Sequence, residues 1–158
     1  MVKVLFVCLG NICRSPLAEG IMMKKLQEEG LEEKVYVDSA GTGSWHLGEQ
    51  PDDRTFKVAR KNGITLESLA RQVSLDDLEM FDYILVMDEN NLANVKQLDA
   101  EGYHHPKIYL MRDFEPSANQ HPVPDPFWGT DEEFEHIHEV LNMALEYFIE
   151  HLKASSKL

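Results

Sequence analysis

One stretch near the start of the chain leaves little freedom for the fold of the rest. Val2-Lys3-Val4-Leu5-Phe6-Val7 is a short β-branched, apolar run of the kind a buried parallel strand shows. It leads directly into Cys8-Leu9-Gly10-Asn11-Ile12-Cys13-Arg14-Ser15-Pro16, and then into Leu17, Ile21, Met22 and Leu26 at roughly helical spacing, ending at Gly30. Ser15 suits an N-cap and Pro16 the first helical position, whose N–H has no partner in any case. The expected unit is a strand over 2–7, a tight loop, and a helix over about 15–29. Such a loop aims successive backbone N–H groups at one point in front of a partly positive helix N-terminus, and that point is an anion site.

A cysteine at the first position of the loop and an arginine at its end set it apart from an ordinary phosphate cradle. A thiol becomes a good nucleophile as thiolate, and helix N-termini and nearby cations favour that form. The planar fork of Arg14 matches two phosphate oxygens, and Gly10 permits a close backbone approach. Cys-x5-Arg closes a loop wide enough for a tetrahedral dianion between sulfur and guanidinium. The implied reaction is attack of Cys8 on phosphorus, giving a phosphocysteine that water hydrolyses.

Further along, Val35–Asp38 reads as a second strand, followed by a Gly/Ser-rich loop from Ser39 to His46. Pro51 to about Asn62 reads as a helix with Phe56, Val58 and Ala59 inward, and Leu75–Met80 as a further helical turn. Tyr83–Met87 is an apolar strand, Asp88 caps a helix carrying Leu92, Val95 and Leu98, and Lys107–Leu110 is the fourth strand. Thr130-Asp131-Glu132-Glu133 has the form of a capping box, opening a last helix with Phe134, Ile137, Leu141, Leu145, Phe148 and Leu152 inward. Strands alternating with helices indicate an α/β fold: one three-layer domain over 1–158, a four-stranded parallel sheet with helices on both faces, the last residues a frayed tail. Ligands in such sheets bind outside the strand C-termini, where Cys8, Ser39 and Asp88 fall.

Four of the seven prolines lie in a long loop from Phe114 to Gly129, and long ordered loops are often functional. Its Asp125-Pro126 fits two readings: a plain Asp-Pro turn, or an acid set over the cradle to protonate a leaving alkoxide or phenoxide.

The segment Val7–Pro16 closely resembles the signature loop of low-molecular-weight protein tyrosine phosphatases. The resemblance continues through Asp38-Ser39-Ala40-Gly41, Ala70-Arg71-Gln72-Val73, Phe81–Asp88 and Asp125-Pro126-Phe127-Trp128-Gly129. It implies Cys8 as nucleophile, Arg14 as phosphate clamp and Asp125 as general acid and base in phosphotyrosine hydrolysis. It implies that Leu9, Gly10, Asn11, Ile12, Cys13 and Ser15 form the phosphate loop, with Asn11 holding its shape and Ser15 donating to the Cys8 sulfur. Ser39 is implied to support that loop, and Trp45, Phe127 and Trp128 to wall the cleft. For Trp45 the residues alone suggest partly buried packing instead. The family also uses a neighbour such as Cys13 to capture an oxidised nucleophile as a disulfide; a small packed side chain is the other reading. Ser68 stands where animal members have a histidine, and Phe127-Trp128 where they have two tyrosines, changes that resemble bacterial members.

The implied partner is a phosphotyrosine-bearing protein, with no metal or cofactor required. His136 and His138 fall on different helix faces, and His104-His105 in a loop, so neither pair suggests a metal site. A net charge of -13 argues against nucleic acid. No apolar run approaches a membrane span, no signal peptide is evident, and two cysteines, one needed as thiolate, suit a reducing cytoplasm, with export by another route left open. A monomer or weak dimer is expected. Arg112 to Lys153 encloses no lysine or arginine but many acids, read as a solvated helix face or as a rim that selects substrates by charge. Arsenate reductases share the loop but rely on further cysteines downstream, and none follows Cys13. Protein-arginine phosphatases carry threonine where Ile12 stands. A non-catalytic phosphate-binding module would be expected to have lost Cys8, Arg14 or Asp125.

Overall fold

The computed structural model describes residues 1–116 and 121–158, so residues 117–120 of the long proline-rich loop lie outside the described residues. Among the described residues four parallel strands, β1 (Val2–Cys8), β2 (Val35–Gly41), β3 (Tyr83–Val86) and β4 (Ile108–Leu110), form one sheet in the order β2-β1-β3-β4. Five α-helices among the described residues accompany them: α1 (Arg14–Glu28), α2 (Asp53–Lys61), α3 (Leu75–Met80), α4 (Glu89–Leu98) and α5 (Asp131–Ala154).

The apolar run of β1 is buried on both faces, and its alternation sorts it between two cores. Val2, Val4, Phe6 and Cys8 pack with α1, α2 and α5 through Leu17, Ile21, Val58, Leu141, Phe148 and their neighbours. Leu5 and Val7 pack on the other side with Leu78 of α3, Phe81 at the C-cap that follows it and Val95 of α4. The result is a three-layer α/β sandwich. The chain leaves β1 toward β2 on one side and reaches β3 on the other, so the strand order reverses between β1 and β3. Outside the C-terminal ends of those two strands a crevice opens, and it ends on Cys8 and, two residues past β3, Asp88.

Several expected boundaries shift, each for a local reason. Helix α1 begins at Arg14 with Cys13 as a cap that makes no side-chain bond. Ser15 is therefore not the cap: its hydroxyl meets Cys8, Asn11 and the Ala40 carbonyl. Pro16 falls third in the helix, still among the first N–H positions that lack an intrahelical acceptor. Strand β2 runs on through Ser39 to Gly41, because Ser39, Ala40 and Gly41 continue the register against Phe6, Val7 and Cys8. Helix α2 starts at Asp53, two residues after Pro51, with Asp52 as its cap accepting from the Arg54 N–H at 2.9 Å. Its buried face is Thr55, Val58 and Ala59, with Phe56 only half-buried. In α4, Val95 is buried and Leu98 exposed. Met87 lies beyond β3, and Lys107 sits in a short 3-10 turn before β4. Thr130 is the N-cap of α5 without a side-chain bond, so the capping box does not form. All six apolar residues expected inward on α5 are buried. Acids at the start of α5 face the basic side of α2, through Lys57 with Asp131 and Lys61 with Glu135.

Candidate active site

The loop from Cys8 to Arg14 is shaped by what holds its outer side. The carbonyls of Cys8, Leu9 and Ile12 accept from Thr42, Gly43 and Asp52 N–H groups, and the Thr55 hydroxyl gives Ile12 a second donor at 3.0 Å. With those carbonyls tied outward, the loop is left to offer N–H groups to its own centre. Asn11 sits in the left-handed region at φ 57°, a conformation asparagine tolerates better than most residues. Its side chain fixes the turn with three bonds: Oδ1 accepts from the Arg71 N–H at 3.0 Å, and Nδ2 donates to Ser15 Oγ at 2.8 Å and Ser39 Oγ at 3.0 Å. Gly41 lets β2 run against this loop, since a Cβ there would lie 2.8 Å from the Leu9 carbonyl oxygen.

Behind Ser39 stands Glu19, whose carboxylate accepts from the Ser39 hydroxyl at 2.6 Å. Burial raises its pKa above the ordinary carboxyl value, against hydrogen bonds from Ser39 and Ser68 that lower it. Arg71 closes the same layer, forked onto Asp38 and Asp77.

Cys8 Sγ and Ser15 Oγ share a hydrogen bond of 3.0 Å. Arg14, 2% exposed, donates from Nη1 to Asp88 Oδ2 at 2.7 Å and to the Val123 carbonyl at 2.9 Å. Burial works against its charge, but Cys8, Asp88 and Asp125 outweigh it and raise its pKa. Arg14 Nη2 faces Asp125 Oδ2 at 3.5 Å, and that carboxylate is 38% exposed. Asp125 Oδ1 accepts from the Phe127 N–H at 3.1 Å. The aspartate thus makes the turn, and its carboxylate faces the arginine.

Cys8, Arg14 and Asp125 line one cleft of about 270 Å³. Leu9, Gly10, Ile12, Cys13, Trp45, Phe127 and Trp128 also line it, as does His46. Trp45 and Trp128 are 70% and 93% exposed, so Trp45 stands on the rim and is not a packing residue. Phe127 and Trp128 meet edge to face at 4.9 Å. Asn11, Ser15 and Ser39 sit behind the loop. Cys13 is buried as a free thiol, its pKa pushed up to about 12 by burial and by neighbouring Cys8 and Asp52. Among the described residues, no three His, Cys, Asp or Glu side chains gather where they could hold a metal ion, and no helix is long and apolar enough to cross a membrane.

Sequence reasoning placed Asp88 at this edge but gave it only the cap of α4, and it passed over Glu19, His46 and Arg54. The missing signal for Asp88 was the need of a buried arginine for a counter-charge.

Residues 3–158 match the family described as low molecular weight phosphotyrosine protein phosphatase. The low molecular weight protein-tyrosine-phosphatase YfkJ of Bacillus subtilis is 38% identical over the full length of both chains, and its crystal structure superposes with a TM-score of 0.91, covering 98% of this chain and 96% of that one. A protein tyrosine phosphatase structure from Entamoeba histolytica is 40% identical, covers 99% of each chain and gives a TM-score of 0.92. A Drosophila arginine phosphatase structure is also similar, at 32% identity and a TM-score of 0.88, covering 96% of this chain and 98% of that one.

Proposed function

The chain belongs to the low-molecular-weight phosphotyrosine protein phosphatase family, a family of hydrolases, and on that premise we propose that it cleaves phosphotyrosine in proteins through a phosphocysteine on Cys8. The observation that supports this most is the meeting of Cys8, Arg14 and Asp125 on one cleft, with Arg14 and Asp125 3.5 Å apart.

In this reading the phosphoryl group enters the centre of the loop, its non-bridging oxygens taken by backbone N–H groups and the Arg14 fork. Asp88 and the Val123 carbonyl hold that fork in place. Cys8 Sγ forms a bond to phosphorus as the bond to the tyrosine oxygen breaks, and protonated Asp125 gives its proton to the departing phenolate. Water then attacks the phosphocysteine. Asp125, now a carboxylate, takes a proton from that water, phosphorus–sulfur cleavage releases inorganic phosphate, and the Ser15 hydroxyl stabilises the returning thiolate across its 3.0 Å contact. Trp45, Phe127, Trp128 and Ile12 give the substrate ring apolar walls. No step needs a metal. Cys13 would meet a sulfenic acid on Cys8 as a thiol, giving a disulfide and water. Two cysteines that work as thiols suit a cytoplasmic enzyme acting as a single domain.

Initial rates on phosphotyrosine, phosphoserine and phosphoarginine peptides, with chelator throughout, test the substrate class. Turnover of phosphotyrosine above the other two, abolished in Cys8→Ser and slowed by about 100-fold in Asp125→Ala, is the expected result. Preference for phosphoarginine, the chemistry named for the Drosophila relative, would overturn the reading of Ile12 and the aromatic walls.

A further inference from the structure

The first turn of α2 touches both catalytic loops, yet none of its residues lines the cleft. On one side, the Asp52 N–H and the Thr55 hydroxyl both donate to the Ile12 carbonyl, at 2.9 and 3.0 Å, in the phosphate loop. On the other side, Arg54 reaches the acid loop. Its Nη2 donates to the Phe127 carbonyl at 2.9 Å and its Nη1 to the Gly129 carbonyl at 3.0 Å. The guanidinium also lies 5.7 Å from the Phe127 ring centre and 4.5 Å from that of Phe134 at the start of α5. Asp52 fixes its direction with two bonds of 3.0 Å, to Nε and Nη2.

Every segment in this chain of contacts matters to where Asp125 stands. Phe127 is two residues beyond Asp125, and its own N–H is the donor to Asp125 Oδ1. The other end of the acid loop is tied at Val123, through Met87 and Arg14. Among the described residues, only Arg54 grips the loop from its far side by two side-chain hydrogen bonds to carbonyls. A planar fork can serve two carbonyls and a carboxylate at once while its face rests on an aromatic ring; a lysine ammonium cannot.

We propose that Arg54 is a positioning residue of the phosphatase reaction. Through it, α2 sets the acid loop relative to the phosphate loop, so that Asp125 stands at proton-transfer distance from the leaving oxygen. This rests on the reading of Asp125 as general acid. Its chemical consequence is specific. Misplacing the acid slows cleavage of esters whose leaving phenol is a strong base, and leaves esters of acidic phenols, which depart unaided, almost untouched.

The test is kcat/KM, which reports transfer of the phosphoryl group to Cys8, across aryl phosphates of rising phenol pKa. Arg54→Met keeps the apolar stem over Phe127 and Phe134 and removes the donors. Its rate is expected to fall below wild type by a factor that grows along the series to about tenfold or more at a tyrosine-like phenol, with phosphate inhibition unchanged. Asp125→Ala should show the same trend, steeper, and Arg54→Met added to Asp125→Ala should change nothing further. Arg54→Lys keeps the charge and should fall between wild type and Arg54→Met, which keeps the comparison open if the methionine variant does not fold. A loss equal for all leaving groups, or one that persists in the Asp125→Ala background, would overturn the role of Arg54. An Asp125→Ala enzyme with no leaving-group dependence would instead overturn the general-acid reading on which it rests.

Discussion

Replacing Asp88 with alanine removes two bonds held by one carboxylate. Oδ1 accepts from the Asn91 N–H at 2.8 Å and caps α4, while Oδ2 accepts from Arg14 Nη1 at 2.7 Å. Loss of the cap costs about 1 kcal/mol. Loss of a charge-assisted bond to a buried guanidinium costs about 2–3 kcal/mol. Arg14 keeps the Val123 carbonyl and the neighbouring Asp125, which holds the penalty below the ~5 kcal/mol of a stranded buried charge. The expected destabilisation is therefore about 3–4 kcal/mol. In urea, with a slope of about 2 kcal/mol/M, the unfolding midpoint should fall by roughly 1.5–2 M. Asp88→Asn has one acceptor oxygen where the carboxylate has two. If that oxygen serves Asn91, the amide NH2 faces Arg14; if it serves Arg14, the cap is lost. Either way it should lie between wild type and alanine, about 2 kcal/mol down. An alanine variant within ~1 kcal/mol of wild type would refute the reasoning that Asp88 is the main counter-charge of Arg14.

The same geometry sets three further outcomes. Burial, the largest cause that pushes the Cys13 pKa up to about 12, persists when Cys8 is replaced, so Cys8→Ser protein should resist iodoacetamide at neutral pH until it is denatured. Burial, the largest influence on Glu19, raises its pKa, so its contribution to stability is present below the unfolded pKa and lost as pH rises through the folded value; Glu19→Gln should gain on wild type in urea midpoint from about pH 4 upward, and a constant difference would contradict this. Gly41→Ala drives a Cβ to 2.8 Å from the Leu9 carbonyl oxygen, and phosphate inhibition should weaken by about tenfold or more as the loop shifts.

The strand–loop–helix unit was legible because three local rules agree over residues 2–28: an apolar strand, a loop with glycine and polar turn formers, and helical spacing after it. Where the boundaries moved, side chains had been diverted by tertiary partners. Ser15 has the composition of a cap, yet its hydroxyl serves Cys8 and Asn11, and the helix starts one residue earlier. Ser39 and Gly41 look like loop residues, and pairing with β1 makes them strand. Thr130 and Glu133 match a capping box that does not form. The site was legible where chemistry is written into adjacent residues, as in Cys8 and Arg14. It was opaque where function depends on contacts across long stretches of chain: Asp88 lies 74 residues from Arg14, and Arg54 lies 73 residues from Phe127. Nothing local in Asp52-Asp53-Arg54 announces that its arginine grips a distant loop.

The measurement that bears most directly on the proposed chemistry is a denaturing quench of the enzyme during turnover of a phosphotyrosine peptide, followed by mass spectrometry of its fragments. Expected is the mass of one phosphoryl group on the fragment containing Cys8, enriched in Asp125→Ala, where attack by water is slowed, and absent with all turnover from Cys8→Ser. Sustained turnover in Cys8→Ser, or full turnover with no phosphoryl group on Cys8 at any time, would contradict it.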